Sequence, residues 1–385
     1  MNRALVLVNI TGLIIGISYG LHGPILPIFA KNIIGASYSE LGFIGLANFI
    51  PYMFIPIFVG ILLDKFNNGY ILAIGAAINS TSIYLLSIAQ SVPEIMGFRI
   101  MTGIAHAFFW PPCQSIISKE SSEQTRVRNI SWFTMFFVMG FMIGPLLGTV
   151  FLESLDITYR ILFQITAFIL ASAIIFSLLI SRKSVTNHHE RFSFLSIKEM
   201  KRFPEVIILL IFCTSSFGII LTIYPAFLND SGMSDTDILL LYFAFGISRV
   251  ISLALAGKFS RKTSQTLIAA TIAVSVGLAI SAVSDSIIMF AVALVLMGFG
   301  FSIFFPLTLE IILSKTSKKI SGKIIGAYET VFGIGWAIGP TLGGSIAQSF
   351  GNQSPYLVFC VIGIAVTVLA LKYRKKLEPD RIQNI

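Results

Sequence analysis

The chain has 385 residues, of which 55% are hydrophobic and only 12% charged, and its mean hydropathy is +0.87. That is too apolar for a soluble globular domain. The +9 net charge does not indicate a nucleic-acid partner, because the basic residues sit in short segments between apolar runs. Cys113, Cys213 and Cys360 are scattered and form no Cys-x-x-Cys, so neither a disulfide framework nor a zinc site is indicated, and nothing calls for a cofactor.

At about 20 apolar residues per crossing, the runs predict membrane spans near 4–29, 40–63, 70–90, 94–118, 128–151 and 158–180. Six more follow near 205–228, 236–257, 264–284, 286–313, 321–347 and 353–372. The first run is longer than the apolar core of a signal peptide and reads as span 1. The expected fold is an all-α integral membrane protein of twelve spans: a six-helix bundle (1–180), a polar linker (181–204) and a second bundle (205–385). A short interfacial helix is expected from Phe192 to Met200.

Charge asymmetry sets the expected orientation. With the N-terminus inside, Lys65, Lys119, Arg126, Arg128, Lys258, Arg261, Lys262, Lys315 and the basic tail are cytoplasmic. Only Lys31 and Arg160 fall outside, where Glu40, Glu94, Glu153, Asp156, Asp230, Asp235, Asp237 and Asp285 gather. A multi-pass protein of the cell membrane, with both termini cytoplasmic and the bilayer as its medium, is the expectation.

Span 5 contains Gly140-Phe141-Met142-Ile143-Gly144-Pro145-Leu146-Leu147-Gly148. Glycines at every fourth position share one helix face and let another backbone approach closely, and Pro145 removes one backbone donor. Span 11 repeats the pattern as Gly335-Trp336-Ala337-Ile338-Gly339-Pro340, with the two Gly-Pro steps 195 residues apart. Gly103 to Pro111 is echoed at the same 195-residue spacing by Gly298 to Pro306, Gly60 to Lys65 at a spacing of 197 by Gly257 to Lys262, and Leu26-Pro27 in span 1 by Tyr224-Pro225 in span 7. Parallel repeats of this kind are a known plan for transporters that rock about a central site. The glycines are expected to serve movement rather than insertion, so Gly144→Leu should spare expression.

At these residues the chain resembles the major facilitator superfamily, and within it the twelve-helix drug/proton antiporter branch. Gly60-x-x-x-Asp64-Lys65 resembles the family's loop 2–3 signature, Arg99-x-x-x-Gly103 its span 4 signature, and Gly140-x-x-x-Gly144-Pro145-x-x-Gly148 the span 5 signature associated with antiporters. Two departures stand out: Phe66, Asn67, Asn68 and Gly69 replace further basic residues after Lys65, and span 1 carries no carboxylate. The resemblance implies a cavity lined by spans 1, 4, 7 and 10, alternating access and coupling to protons. It also implies gating roles for Gly60, Asp64, Lys65, Gly140, Gly144, Pro145, Gly148, Gly339 and Pro340.

Ionisable residues inside a membrane are costly and mark function. The candidates are His22, Arg99, His106, Arg249, Glu310 and Glu329. The internal repeat places Ile220, Leu294, Phe301, Tyr52 and Thr134 opposite His22, Arg99, His106, Arg249 and Glu329 respectively, so the scaffold does not require the charges. Arg99 and His106 are seven residues apart and share a helix face with Trp110. Arg99 can bind an anion or relay protons, or else cap and snorkel; His106 is a titrating group or a hydrogen-bonded core residue. His22 can act likewise, or satisfy a carbonyl freed by Pro24. Arg249 and Glu329 lie at matching depth and are expected to pair. Tyr19, Phe109, Trp110, Tyr224, Phe304 and Phe305 could floor an apolar cavity.

The predicted activity is secondary transport of a small amphipathic molecule by a monomer, as proton-coupled efflux. The alternatives are a metabolite symporter or facilitator, and a non-transporting membrane sensor. No Ser/His/Asp order, metal cluster or phosphate loop supports an enzyme.

Overall fold

The computed structural model describes residues 2–63, 65–180, 200–316 and 321–380, and among them it is helical throughout, without a strand. The first half comprises α1 (Arg3–His22), α2 (Ile25–Asn32), α3 (Tyr38–Leu63), α4 (Asn68–Ile88), α5 (Val92–Ala107), α6 (Trp110–Lys119), α7 (Glu123–Thr149) and α8 (Tyr159–Ile180). The second comprises α9 (Pro204–Thr222), α10 (Tyr224–Asp230), α11 (Asp235–Phe259), α12 (Thr263–Val283), α13 (Ile287–Ser314), α14 (Ser321–Phe350) and α15 (Ser354–Lys372). Eight stretches among the described residues are long and apolar enough to cross a membrane, and one of them, Asp235–Val283, holds both α11 and α12. With α3, α5–α6 and α14 the spans number twelve. Apart from Met200, the expected helix at 192–200 lies outside the described residues.

Three expected continuous spans are interrupted. Span 1 breaks between α1 and α2 at Gly23-Pro24, span 4 between α5 and α6 at Phe108-Phe109, and span 7 between α9 and α10 at Ile223. Proline causes each break: it offers no N–H to the carbonyl one turn back, and its ring crowds that carbonyl. Pro111 and Pro112 remove two consecutive donors in span 4. Its repeat partner α13 carries Pro306 alone and stays continuous. The repeat therefore extends to the breaks in spans 1 and 7 but not to span 4, whose counterpart is unbroken.

Packing follows the repeat. In the first half α1 contacts α7 and α8, α3 contacts α5, and α4 contacts α5 and α8; in the second α9 contacts α14, α11 contacts α13, and α12 contacts α13 and α15. The glycines explain why. A Cβ on Gly140 would lie 2.2 Å from the Leu13 carbonyl oxygen, and one on Gly144 2.5 Å from that of Ile17, so α7 rests directly on the α1 backbone. A Cβ on Gly339 would lie 2.0 Å from the Ser215 carbonyl oxygen, making the same contact between α14 and α9. Gly103 and Gly298 likewise seat α5 on α3 and α13 on α11: their Cβ positions fall 2.1 Å from Asn48 O and 2.9 Å from Phe245 O.

Two helix pairs make most of the contact between the halves, α3 with α14 and α7 with α11. Small residues serve here too. Gly42 and Gly344 meet each other, and Gly42 and Gly45 both abut Pro340. Gly246 faces Met142, and Gly148 faces Leu239 across the same boundary.

The two ends of the bundle differ. At the end rich in acidic loops, Lys31 forms a 2.6 Å ion pair with Asp230, and Tyr38 donates to the same carboxylate at 2.7 Å. Asn32 donates to Asn229 at 2.8 Å, the Tyr38 amide donates to Gln348, and Tyr159 donates to Asp235. All five contacts cross between halves, so this acidic face is sealed. Arg160, the other basic residue at this face, donates to the Ser87 carbonyl. The opposite, basic face holds the mouth of a cavity, with Gly60, Lys65, Lys119 and Arg126 among its lining residues.

The geometry changes the expectation for Gly144. Its neighbours are α1 backbone within its own half, so Gly144→Leu overpacks a site that cannot yield, at about 1–3 kcal/mol or more. That variant should give less monodisperse protein and a lower melting temperature by size-exclusion after heating. Gly148→Leu meets only side chains, Leu239 of the other half and Leu21. It should remain folded while a cysteine at the acidic face reacts faster with an impermeant maleimide. An unchanged labelling rate would detach Gly148 from the seal.

The Lys31–Asp230 pair yields a second expectation. Lys31→Asp should raise the same labelling rate severalfold, and Lys31→Asp with Asp230→Lys should bring it back toward the starting value. Failure of the double variant to recover would mean that the Tyr38 and asparagine contacts carry the seal without the ion pair.

Candidate functional site: the cavity between the halves

A cavity of about 1500 Å³ lies between the two halves, mostly apolar and open at the basic face. Gly60, Ile61, Leu63 and Lys65 at the end of α3, Ser118 and Lys119 of α6, and Arg126 of α7 line its mouth. Asp64 lies outside the described residues. The remaining glycine and proline positions, Gly140, Gly144, Pro145, Gly148, Gly339 and Pro340, are packing contacts and do not line it.

Deeper in, the break in span 4 positions the first cluster. His106 closes α5 and Trp110 opens α6, one turn on. The Trp110 indole N–H donates to His106 Nε2 at 2.8 Å, and Tyr19 Oη sits 2.8 Å from His106 Nδ1. An indole nitrogen can only donate. His106 Nε2 is therefore the acceptor, and Nδ1–H donates to the Tyr19 hydroxyl, which also receives Asn79 Nδ2 at 3.4 Å. His106 is a neutral imidazole, hydrogen-bonded at both nitrogens, at the cavity wall.

Arg99 is 9% exposed and lies within electrostatic reach of Tyr19, His22 and His106. Its Nε has no hydrogen-bond partner, and no acidic side chain among the described residues pairs with it. His22 Nδ1–H donates to the Ser18 carbonyl at 2.6 Å, one turn back, rather than to a carbonyl freed by Pro24. The second ring nitrogen, Nε2, is buried, without a partner, and the ring lines the cavity.

Glu329 belongs to a second group. Tyr52 of α3 donates to its carboxylate at 3.2 Å across the α3–α14 boundary. The Tyr52 ring also stands edge-on to His106, with centroids 5.1 Å apart. Tyr52 entered the sequence reading only as the uncharged counterpart of Arg249. The signal that could have found it is a hydroxyl in mid-span between Pro51 and Pro56. Asn48, which lines the cavity with an unpartnered amide oxygen, was missed for the same reason.

The expected Arg249–Glu329 pair is not formed. Arg249 is 7% exposed and its guanidinium lies among Phe141, Phe217, Phe245 and Phe301, 5.2–5.5 Å from each ring centroid. The two charges belong to different interhalf pairs, Arg249 to α7–α11 and Glu329 to α3–α14. Matching depth along the bilayer did not imply the same side of the cavity. Tyr224 is a second correction: it is fully buried, hydrogen-bonded to Ser281 at 2.6 Å and packed on Phe227 and Tyr356, away from the cavity. Phe109 and Phe304 are likewise core residues, whereas Tyr19, Trp110 and Phe305 do line the cavity. Glu310 is exposed near the end of α13.

The Major Facilitator Superfamily model matches residues 8–268 and 264–385, almost the entire chain. The chain belongs to that superfamily. Among curated proteins it is 23% identical to the quinolone resistance protein NorA of Staphylococcus aureus, over 99% of this chain and all of that one. Among solved structures it is similar to the nucleoside transporter NupG, with TM-score 0.79, 14% identity and coverage of 97% and 99% of the two chains. It is also similar to a bacterial homologue of the human lysosomal transporter Spinster in an inward-facing, occupied conformation, with TM-score 0.78, 14% identity and coverage of 96% and 95%. The family match makes the chain a multi-pass membrane transporter, and the likenesses to solved structures show the fold.

Because Arg249 and Glu329 do not pair, the swap Arg249→Glu with Glu329→Arg should recover no transport beyond the product of the two single effects. Recovery above that product in a double-mutant comparison of initial rates would show that the two charges meet in another conformation.

Proposed function

We propose that this protein is a proton-coupled exporter of small amphipathic molecules in the cell membrane, working by alternating access. The observation that carries the reading is the cavity: closed at one face, open at the other, lined mainly by apolar and aromatic side chains, and holding one carboxylate among its described lining residues, Glu329. An apolar pocket with few polar groups suits an amphipathic ligand. The excess of Lys and Arg in the loops at the open face supports a cytoplasmic assignment for it, with both termini on that side. The cavity then loads from the cytoplasm. Residues 1–180 and 205–385 are the two rocking units, joined through 181–204, and one chain supplies both walls, which supports a monomer.

Glu329 is the residue best placed to exchange a proton. A carboxylate at membrane depth is costly when charged, by about 2.5–3.5 kcal/mol on insertion scales. It meets the hydroxyl of Tyr52 and no cation among the described residues. The Tyr52–Glu329 contact also crosses between halves, so the protonation state can bias the equilibrium between the two openings. The similarity to NorA over the full length supports efflux, as do the span 5 glycines that resemble the antiporter signature.

The test uses proteoliposomes with an imposed pH gradient and a lipophilic dye, in both orientations of the gradient. Wild-type protein should move dye against its gradient only when protons flow the other way. Glu329→Gln should abolish this gradient-driven movement while retaining dye exchange at equilibrium. Gradient-driven transport by Glu329→Gln at the wild-type rate would remove Glu329 from coupling, and dye movement in the same direction as protons would reverse the proposed direction.

A further inference from the structure

We propose that Arg249 is a binding site for the anionic group of the substrate, so that the cavity selects aromatic organic anions such as carboxylates or sulfonates. This deepens the efflux reading and rests on it.

The guanidinium is placed as an unfilled receptor. Four phenyl rings surround it, Phe217 and Phe301 stacked on each other at 3.5 Å, Phe245 one turn back on α11, and Phe141 from the other half. Rings attract a cation through their faces, but they do not accept the in-plane N–H bonds of a guanidinium. Arg249 Nε is buried with no partner. Glu329, the one carboxylate among the described lining residues of the cavity, is engaged by Tyr52 at the other interhalf pair. A planar donor fork of this kind matches a carboxylate or sulfonate in geometry and charge.

The repeat argues against a purely structural role. The position equivalent to Arg249 is Tyr52, and the position equivalent to Glu329 is Thr134, on the first-half helix that packs against α11. The fold thus supports an uncharged side chain here, and no acid stands opposite. The field of the cavity points the same way. Its described lining residues include Lys65, Arg99, Lys119, Arg126 and Arg249 but a single acid, Glu329. A cleft lined by one sign of charge concentrates ions of the other. Phe141, Phe217, Phe301 and Trp336 line the cavity beside Arg249. An anion seated on the guanidinium would lay its aromatic body against them.

The experiment compares two fluorescent probes on the full chain in detergent: 8-anilinonaphthalene-1-sulfonate and the neutral N-phenyl-1-naphthylamine, which differ by the sulfonate. Wild-type protein should bind the sulfonate about tenfold more tightly, the scale of one charge-assisted hydrogen bond. Arg249→Gln should erase that preference while changing the neutral probe's affinity less than about twofold, and Arg249→Lys should keep part of it. An unchanged preference in Arg249→Gln, or tighter binding of the neutral probe by wild type, overturns the proposal. Should the variants lose monodispersity, phenylglyoxal labelling of wild-type protein decides: the sulfonate should protect Arg249 from modification and the neutral probe should not, and equal labelling with both refutes it. Proton-driven transport of a cationic or neutral dye without any anion preference would overturn this inference and leave the efflux reading standing.

Discussion

Helix backbones touch in this protein because a bilayer provides no hydrophobic force to draw apolar helices together, leaving van der Waals contact and shape to hold them. Gly140 and Gly144 put α7 on the carbonyls of Leu13 and Ile17, and Gly339 puts α14 on that of Ser215. These contacts hold span 5 to span 1 and span 11 to span 7, each within one half. Everything else is arranged from them. Spans 5 and 11 also meet the opposite half, through α11 and α3, so each glycine helix is fixed within its own half on one side and apposed to the other half on the other.

The fold was largely legible because its signals are long and redundant. Twelve apolar runs, the placement of charge and a 195-residue repeat each point to the same plan. What was not legible was local. The interruptions in spans 1, 4 and 7 fall at prolines that were visible, but Pro306 sits in an unbroken helix, so proline alone does not decide whether a helix stops. The outcome depends on whether neighbouring groups satisfy the freed carbonyls, and that is tertiary information.

The site was legible as a set of residues and not as a set of partners. Depth along the membrane normal can be read by counting residues from a helix end, and it put Arg249 and Glu329 at one level; a shared helix face and the family resemblance put Arg99 and His106 at the cavity, and all four line it. Azimuth around the bundle cannot be counted in this way. Arg249 and Glu329 share a depth but face the cavity from different interhalf seams, and Tyr52 takes the place at Glu329 that Arg249 was expected to hold. Tyr224 failed for the opposite reason: its span was right, but its face turns to Ser281 and the core of its own half.

The same azimuthal separation gives the cavity its chemical character. An internal repeat would produce two equivalent seams, Tyr52 with Glu329 and Arg249 with Thr134, and a symmetric, neutral cavity would need only the uncharged member at each. This chain instead carries an acid at one seam and a base at the other, with Arg99, whose Nε has no partner, within electrostatic reach of Tyr19 and His22. Had the acid and base met, each would have cancelled the other and left a neutral wall. Held apart, each seam presents its own charge, which under the proposed function leaves the carboxylate for a proton and the caged guanidinium for an anion. Each seam also spans the two halves, through the Tyr52–Glu329 bond and through the Phe141–Arg249 contact. Under the proposed function, occupancy at either place would act on the boundary between the halves, so that two ligands that never touch would share one conformational equilibrium.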